Sequence, residues 1–180
     1  MIIYIHGFAS SGAGTKAQAF RKYYATKNEG FIAPSLSYIP ELAISTLEEL
    51  ILSYNEEVKL IGSSLGGYYA MYLADKYKLK AILINPSIYP YKTLVASMGE
   101  MTHYHDGSHF SWLPQHFNML KKYEVNTLHD NVMLLVQKGD ETLNYQEAVD
   151  KLPNVTIIIE EGGNHSFEGI ERYFEKINEF

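Results

Sequence analysis

The chain has 180 residues, 46% of them apolar, and a formal net charge of −6. That length suits one domain, spanning 1–180, and that apolar fraction excludes disorder. The mild acidity, with no block of Lys or Arg, argues against a nucleic-acid partner, and the lack of cysteine removes disulfides, thiolate metal sites and cysteine nucleophiles.

The first element is the apolar run "IIYIH", from Ile2. It has neither a basic region nor a long apolar stretch, so a secretory signal is not expected, and no later run approaches the ~20 apolar residues of a membrane helix. A cytoplasmic protein is the expectation. Five more runs follow: "FIAPSL" from Phe31, "VKLIG" from Val58, "KAILIN" from Lys80, "NVMLLVQ" from Asn131 and "VTIIIEE" from Val155. Most are continuous rather than alternating, as in strands covered on both faces. Helical patterns occupy 15–27, 40–54, 65–77, 145–152 and 166–180. Strand alternating with helix predicts an α/β fold of six mostly parallel strands, with helices on both faces.

One stretch interrupts this rhythm. Between 85 and 130 no clear strand is legible. Three prolines, the only Trp (Trp112) and five of the seven histidines lie there. A connection this long carries function or a small subdomain. We expect a mostly helical, lid-like insertion over the end of the sheet.

The run "VKLIGSSLGGYYA" carries the chemistry. A buried strand, G-x-S-x-G and a helix together make a nucleophile elbow. The turn is so tight that its flanking positions accept only small residues, and it lifts one hydroxyl to the start of a helix. Chance supplies roughly 0.06 such matches in a chain this long. Ser64 is central to Gly62-Ser63-Ser64-Leu65-Gly66. Ser63 has Ile61 two positions before it, so its role is local.

A serine needs a base, and the base needs an orienting acid. In α/β-hydrolases the chain order is Ser, then Asp or Glu, then His. "KGDETLNY" places Asp140 just past the fifth run, and "GGNHSFEG" places His165 past the sixth. A parallel sheet gathers both at the edge where Ser64 stands. Glu141 is the competing acid. Asn144 is better placed than Asp140 to cap the next helix. Among the other histidines (His6, His103, His105, His109, His116 and His129) only His6 ends a strand, and it precedes the serine. In "YIHGFASS", Gly7 lets the backbone approach a substrate, and His6 supports the loop. The two oxyanion donors are the amides of Leu65 and Phe8.

"THYHDGSHFSW" contains His103, His105, Asp106 and His109, all competent metal ligands. Their spacing does not match a metallo-hydrolase, so a polar loop without metal is the reading. Most aromatics read as core. Tyr68, close to the nucleophile, and Trp112 in the insertion are the candidates for lining an apolar acyl pocket.

These motifs resemble those of the small YqiA-type esterases, a compact branch of the α/β-hydrolases. "YIHGFASS", "IGSSLGGYYA", "INPS", "GDETLNYQEAV" and "EEGGNHSFEGIERYF" carry the resemblance, in matching order and spacing. It covers nearly everything outside 88–130. It implies a one-domain serine esterase with a Ser64–His165–Asp140 triad, no cofactor, and carboxyl esters or acyl thioesters as small-molecule substrates. A non-catalytic acyl-binding protein and an acyltransferase are the alternatives.

Overall fold

The computed structural model describes residues 1–126 and 130–180. His129, one of the competing histidines, lies outside them, as do residues 127 and 128 of the predicted insertion.

The elements are β1 (Ile2–Ile5), α1 (Thr15–Lys27), β2 (Phe31–Ile32), α2 (Pro40–Ser53), β3 (Lys59–Ser63), α3 (Leu65–Tyr77), β4 (Lys80–Ile84), α4 (Pro90–Thr93), β5 (Gly99–Thr102), β6 (His109–Trp112), α5 (Pro114–Lys121), β7 (Val132–Gln137), α6 (Tyr145–Lys151), β8 (Thr156–Glu160) and α7 (Phe174–Glu179). Six strands form one parallel sheet in the order β2-β1-β3-β4-β7-β8. Each central strand is short, apolar and rich in Ile, Leu or Val. Its alternating side chains therefore supply both faces of the sheet. Ile3, Ile5, Leu60, Leu83, Leu134 and Val136 pack with Leu47 of α2 and Leu73 of α3. Tyr4, Ile61, Ile82, Ile84 and Leu135 pack on the opposite face with Phe20 of α1 and Phe174 of α7. All six residues of β7 are buried. Among the described residues no helix is long and apolar enough to cross a membrane.

Because the strands are parallel, their C-terminal ends share one edge. The loops leaving β1, β3, β4, β7 and β8 therefore emerge side by side. This is how a fold held together by non-specific apolar packing brings residues far apart in sequence to one place.

Two expectations need correcting. The segment after β4 is not mostly helical. It contains the antiparallel hairpin β5–β6, with Gly99 opposite Trp112 and Met101 opposite Phe110. The period-two pattern was there: Phe110 and Trp112 are buried while His109 is exposed. Asp106-Gly107 closes the loop, with Gly107 at φ 71° and Asp106 Oδ1 accepting the Ser108 amide at 2.9 Å. Strands of four residues are too short to stand out from a proline- and histidine-rich background. The last helix also begins later than 166. Phe167 and Gly169 have φ of 59° and 72°, which no helix accommodates, so a 3-10 turn at Ile170–Tyr173 precedes α7.

Candidate active site

The elbow is built by close approach. A Cβ on Gly66 would run into the carbonyl oxygens of Ile5 and His6. One on Gly62 would meet the Gly66 carbonyl and, at 2.8 Å, the Ala70 methyl. Glycine at both positions lets α3 start directly against β1 and β3. Ser64 sits between them at φ 55°, ψ −122°, a region that side-chain-bearing residues rarely occupy. Its backbone is tied on both sides: its amide donates to Ile84 O at 3.1 Å, and its carbonyl accepts from Ser87 N at 3.0 Å and Gly67 N at 2.9 Å. A serine preceding a helix normally caps it with its hydroxyl. Ser64 does not, so Oγ is left for another partner.

That partner is His165. Its Nε2 lies 3.0 Å from Ser64 Oγ, and its Nδ1 lies 2.8 Å from Asp140 Oδ2. The other oxygen of Asp140 accepts the amides of Thr142 and Leu143, each at 2.8 Å. Burial pushes the Asp140 carboxyl up. The bond from His165 and the two amides outweigh that, and its pKa lies below the ordinary carboxylate value. Asp140 is therefore anionic at neutral pH and fixes the imidazole with Nδ1 protonated. Nε2 is then free to accept a proton from the serine. Glu141 does not reach the ring. It accepts the backbone amide of His165 at 3.0 Å. Asn144 caps α6 through the Gln146 amide.

The amides of Leu65 and Phe8 have no hydrogen-bond partner among the described residues. Leu65 is the first residue of α3, where the helix leaves N–H groups unpaired. Phe8 lies in the loop after β1. The ring of His6 spans that loop: Nε2 accepts the Leu36 amide at 2.9 Å, which leaves Nδ1 to donate to Gly7 O at 2.8 Å. Burial lowers the His6 pKa and favours this neutral form.

A cleft of about 760 Å³ opens over these groups, lined among others by Gly7, Phe8, Lys16, Ser64 and His165, and by His105 from the hairpin. Tyr68 and Trp112 do not line it. The Tyr68 ring is buried and its hydroxyl donates to Leu120 O at 2.7 Å, which anchors α5 to α3. Trp112 is fully buried against Phe8, His116 and Phe117. Both rings hold the insertion to the core. The histidines around 103–109 are dispersed: His103 packs on Phe110, His109 bonds Thr102, and Asp106 turns back to Ser108. Among the described residues no three His, Asp or Glu side chains are grouped to hold a metal ion.

Residues 1–180 match the sequence profile of UPF0227, described as an uncharacterised protein family. The chain belongs to UPF0227. The UPF0227 protein YcfP of Escherichia coli O9:H4 (strain HS) is 23% identical over 188 residues, covering 100% of this chain and 98% of YcfP. Mouse alpha/beta hydrolase domain-containing protein 10 superimposes with a TM-score of 0.76 at 20% identity, over 99% of this chain and 88% of that one. Est1E from Butyrivibrio proteoclasticus with ferulic acid bound gives a TM-score of 0.78 at 14% identity, over 99% and 86%. The fold is that of the α/β-hydrolases, and the family agrees with the YqiA-type resemblance.

Two further residues organise the site in this UPF0227 chain, and neither stands out in the sequence. Asn85, at the end of β4 and buried, donates from Nδ2 to the carbonyls of Asn164 (3.0 Å) and His165 (3.1 Å), and accepts the Gln137 amide at 3.0 Å. Gln137, buried at the end of β7, accepts the amides of Asn164 (3.1 Å) and Glu168 (2.8 Å). It donates to Glu160 (2.6 Å) and to Glu168 O (2.8 Å). Together they lash the His165 loop to two central strands. The signal that could have found them is a polar residue ending an otherwise apolar run, "ILIN" and "MLLVQ". A buried amide persists only if its hydrogen bonds are met, so such a residue marks a fixed loop.

Proposed function

We propose that the protein is a serine hydrolase of small carboxyl esters or acyl thioesters. Ser64 Oγ attacks the acyl carbon as His165 Nε2 takes its proton. Asp140 holds the imidazole and stabilises the imidazolium that forms. The carbonyl oxygen becomes an oxyanion and accepts hydrogen bonds from Leu65 N and Phe8 N. The tetrahedral intermediate collapses and the C–O or C–S bond breaks. His165 gives its proton to the departing alkoxide or thiolate, leaving an acyl-Ser64. Water, deprotonated by His165, then attacks this ester and releases the acid. No step calls for a cofactor. The segment 85–130 acts as the lid of a one-domain enzyme, and the cysteine-free chain fits a cytoplasmic site of action.

The observation that carries this reading is the continuous hydrogen-bond path from Ser64 Oγ through His165 to Asp140. A binding protein has no use for a serine held at strained φ with its hydroxyl aimed at an oriented imidazole. A fluorophosphonate probe tests it. We expect one label per wild-type chain and none on Ser64→Ala. A wild-type protein that folds yet takes no label, and releases no acid from any ester or thioester, would overturn the hydrolase reading in favour of a non-catalytic acyl-binding protein.

A further inference from the structure

The proposed serine chemistry leaves a half-buried cation in the cleft unused. Lys16, in the first turn of α1, turns its ammonium inward instead of extending it into water. Nζ donates to Ser63 Oγ at 2.7 Å, one residue before the nucleophile. The side chain lines the same cleft as Ser64 and His165. Among the described residues it forms no ion pair and no other hydrogen bond. An ammonium has three donors, so two are left without a hydrogen-bond partner among the described residues. Taking a lysine out of water without a counter-ion is costly. Asp140 is the acid whose charge reaches it, and that carboxylate is already committed to His165 and two amides. The same wall carries Ala13, Gly14 and Thr15, and the first turn of α1 has no acidic residue and no side-chain cap to offset the charge.

We propose that Lys16 is an anion-recognising residue of the substrate site, and that the protein prefers esters carrying a carboxylate or phosphate on the acyl or the alcohol side. The inference rests on the hydrolase reading above and narrows its substrate class. Ser63 supplies one hydrogen bond to hold the ammonium ready, and the substrate's anion supplies the missing counter-charge. Burial pushes the Lys16 pKa down to about 8, with Asp140 acting in the opposite direction. The titratable or charged groups around it are Tyr4 of β1, kept protonated by burial, Asp140 beyond β7, and His165, Glu171 and His105 lining the cleft. The exposed Glu171 forms no ion pair with Lys16.

The test uses two matched pairs of esters. 4-Nitrophenyl hemiglutarate against 4-nitrophenyl pentanoate places the anion in the acyl group. 4-Acetoxybenzoate against phenyl acetate places it in the alcohol. For each pair the ratio of kcat/KM, anionic over neutral, is compared between wild type and Lys16→Met. Removing a charge-assisted contact from a partly buried site should lower one of the ratios about 10- to 100-fold, through KM. The pair that responds tells which side of the ester bears the anion. Ratios unchanged within about two-fold in both pairs would overturn the proposal. A merely structural Lys16 would depress both members of a pair alike and leave the ratios intact.

Should Lys16→Met fail to fold, the wild type alone decides the matter. Lys16 is charged below its pKa and neutral above it, so the responding ratio should fall as pH rises through about 8. A flat ratio contradicts the proposal. Calorimetric titration of monomethyl glutarate and of 4-acetoxybenzoate into Ser64→Ala, with and without Lys16→Met, reads binding without turnover. Weaker binding of either ligand to the double variant supports the anion site, and no difference for both overturns it. Lys16-dependent binding in a protein that hydrolyses nothing would fault the hydrolase reading alone.

Discussion

Ser64, Asp140 and His165 stand on loops that leave the six-stranded parallel sheet, whereas His105 reaches the same cleft from a hairpin whose two short strands pair only with each other. The first group is over-determined. The Ser64 backbone is hydrogen-bonded to Ile84 at the end of β4, to Ser87 just beyond it and to Gly67 of its own helix, and the His165 loop is held by Asn85, Gln137 and Glu141. The hairpin is held by the rings of Phe110 and Trp112 on its inner side and, at its tip, by one bond from Tyr104 N to Ala9 O at 2.8 Å. Its outer residues Tyr104, His105, Asp106 and Ser108 are exposed. The difference teaches where tolerance lies. The proposed chemistry sits where displacement of an ångström is resisted by several bonds at once. What covers the cleft sits where substitution disturbs few of them.

The sharpest way to break this contrast is at Asp140. Asp140→Asn keeps the shape but favours the wrong imidazole tautomer, so turnover of an activated ester should drop about 10⁴-fold with little change in KM. Glu141→Gln serves as the control, because Glu141 holds the His165 backbone and not its ring. A larger loss in Glu141→Gln than in Asp140→Asn would reassign the acid.

Next comes the scaffold behind the histidine. Asn85→Ala removes three hydrogen bonds that join β4, β7 and the His165 loop. It should cost about 1–3 kcal/mol in chemical denaturation, because buried partners are left unpaired. It should also lower kcat about 10- to 100-fold by misplacing His165. A normal kcat in a destabilised Asn85→Ala would show that the loop positions its histidine without that anchor.

The hairpin should be softer. Gly107 has φ 71°, with no atom near the position a Cβ would take. Gly107→Ala should thus cost only about 1 kcal/mol of backbone strain. It should change kcat/KM a few-fold, unequally for short and long acyl esters. An equal effect on all acyl lengths would separate the hairpin from the acyl site.

The smallest expected effect is on acid stability. Hydrogen bonds from Gln137, Arg172 and Tyr173 pull the Glu160 carboxyl down to about 2 against the opposing effect of burial, the Gln137 bond being the strongest influence. A carboxyl whose folded pKa lies below its unfolded one, ~4.3, adds stability above that unfolded value and loses it as pH falls toward the folded one. The melting temperature of wild type should therefore decline between roughly pH 4.5 and pH 2 more steeply than that of Glu160→Gln. Parallel declines would mean that this cluster contributes nothing to holding Gln137.

Much of this was legible because it depends on short-range pattern. Continuous apolar runs mark the sheet, G-x-S-x-G needs only its own strand and helix, and Asp140 and His165 follow runs that end at the same edge. What escaped depends on partners distant in the chain. Asn85 and Gln137 are 52 residues apart and matter because they meet. Lys16 reads as an ordinary surface lysine of an early helical turn until Ser63 is placed beside it. Tyr68 is near Ser64 in sequence, yet its position on α3 turns it toward Leu120 and away from the cleft. The hairpin was hidden by brevity: its alternation spans four residues, within a segment otherwise dominated by proline and histidine.

Ser64 leaves α3 without the side-chain cap that its hydroxyl could provide, and it holds a backbone angle better suited to glycine. The fold and the chemistry thus want different residues at one position. A glycine there would relieve the turn and, on the proposed mechanism, give a sturdier but inert protein. Drift toward glycine at this site would thus gain stability and lose reactivity. The strained serine is what the proposed reaction requires, held at the expense of what would make the turn most robust.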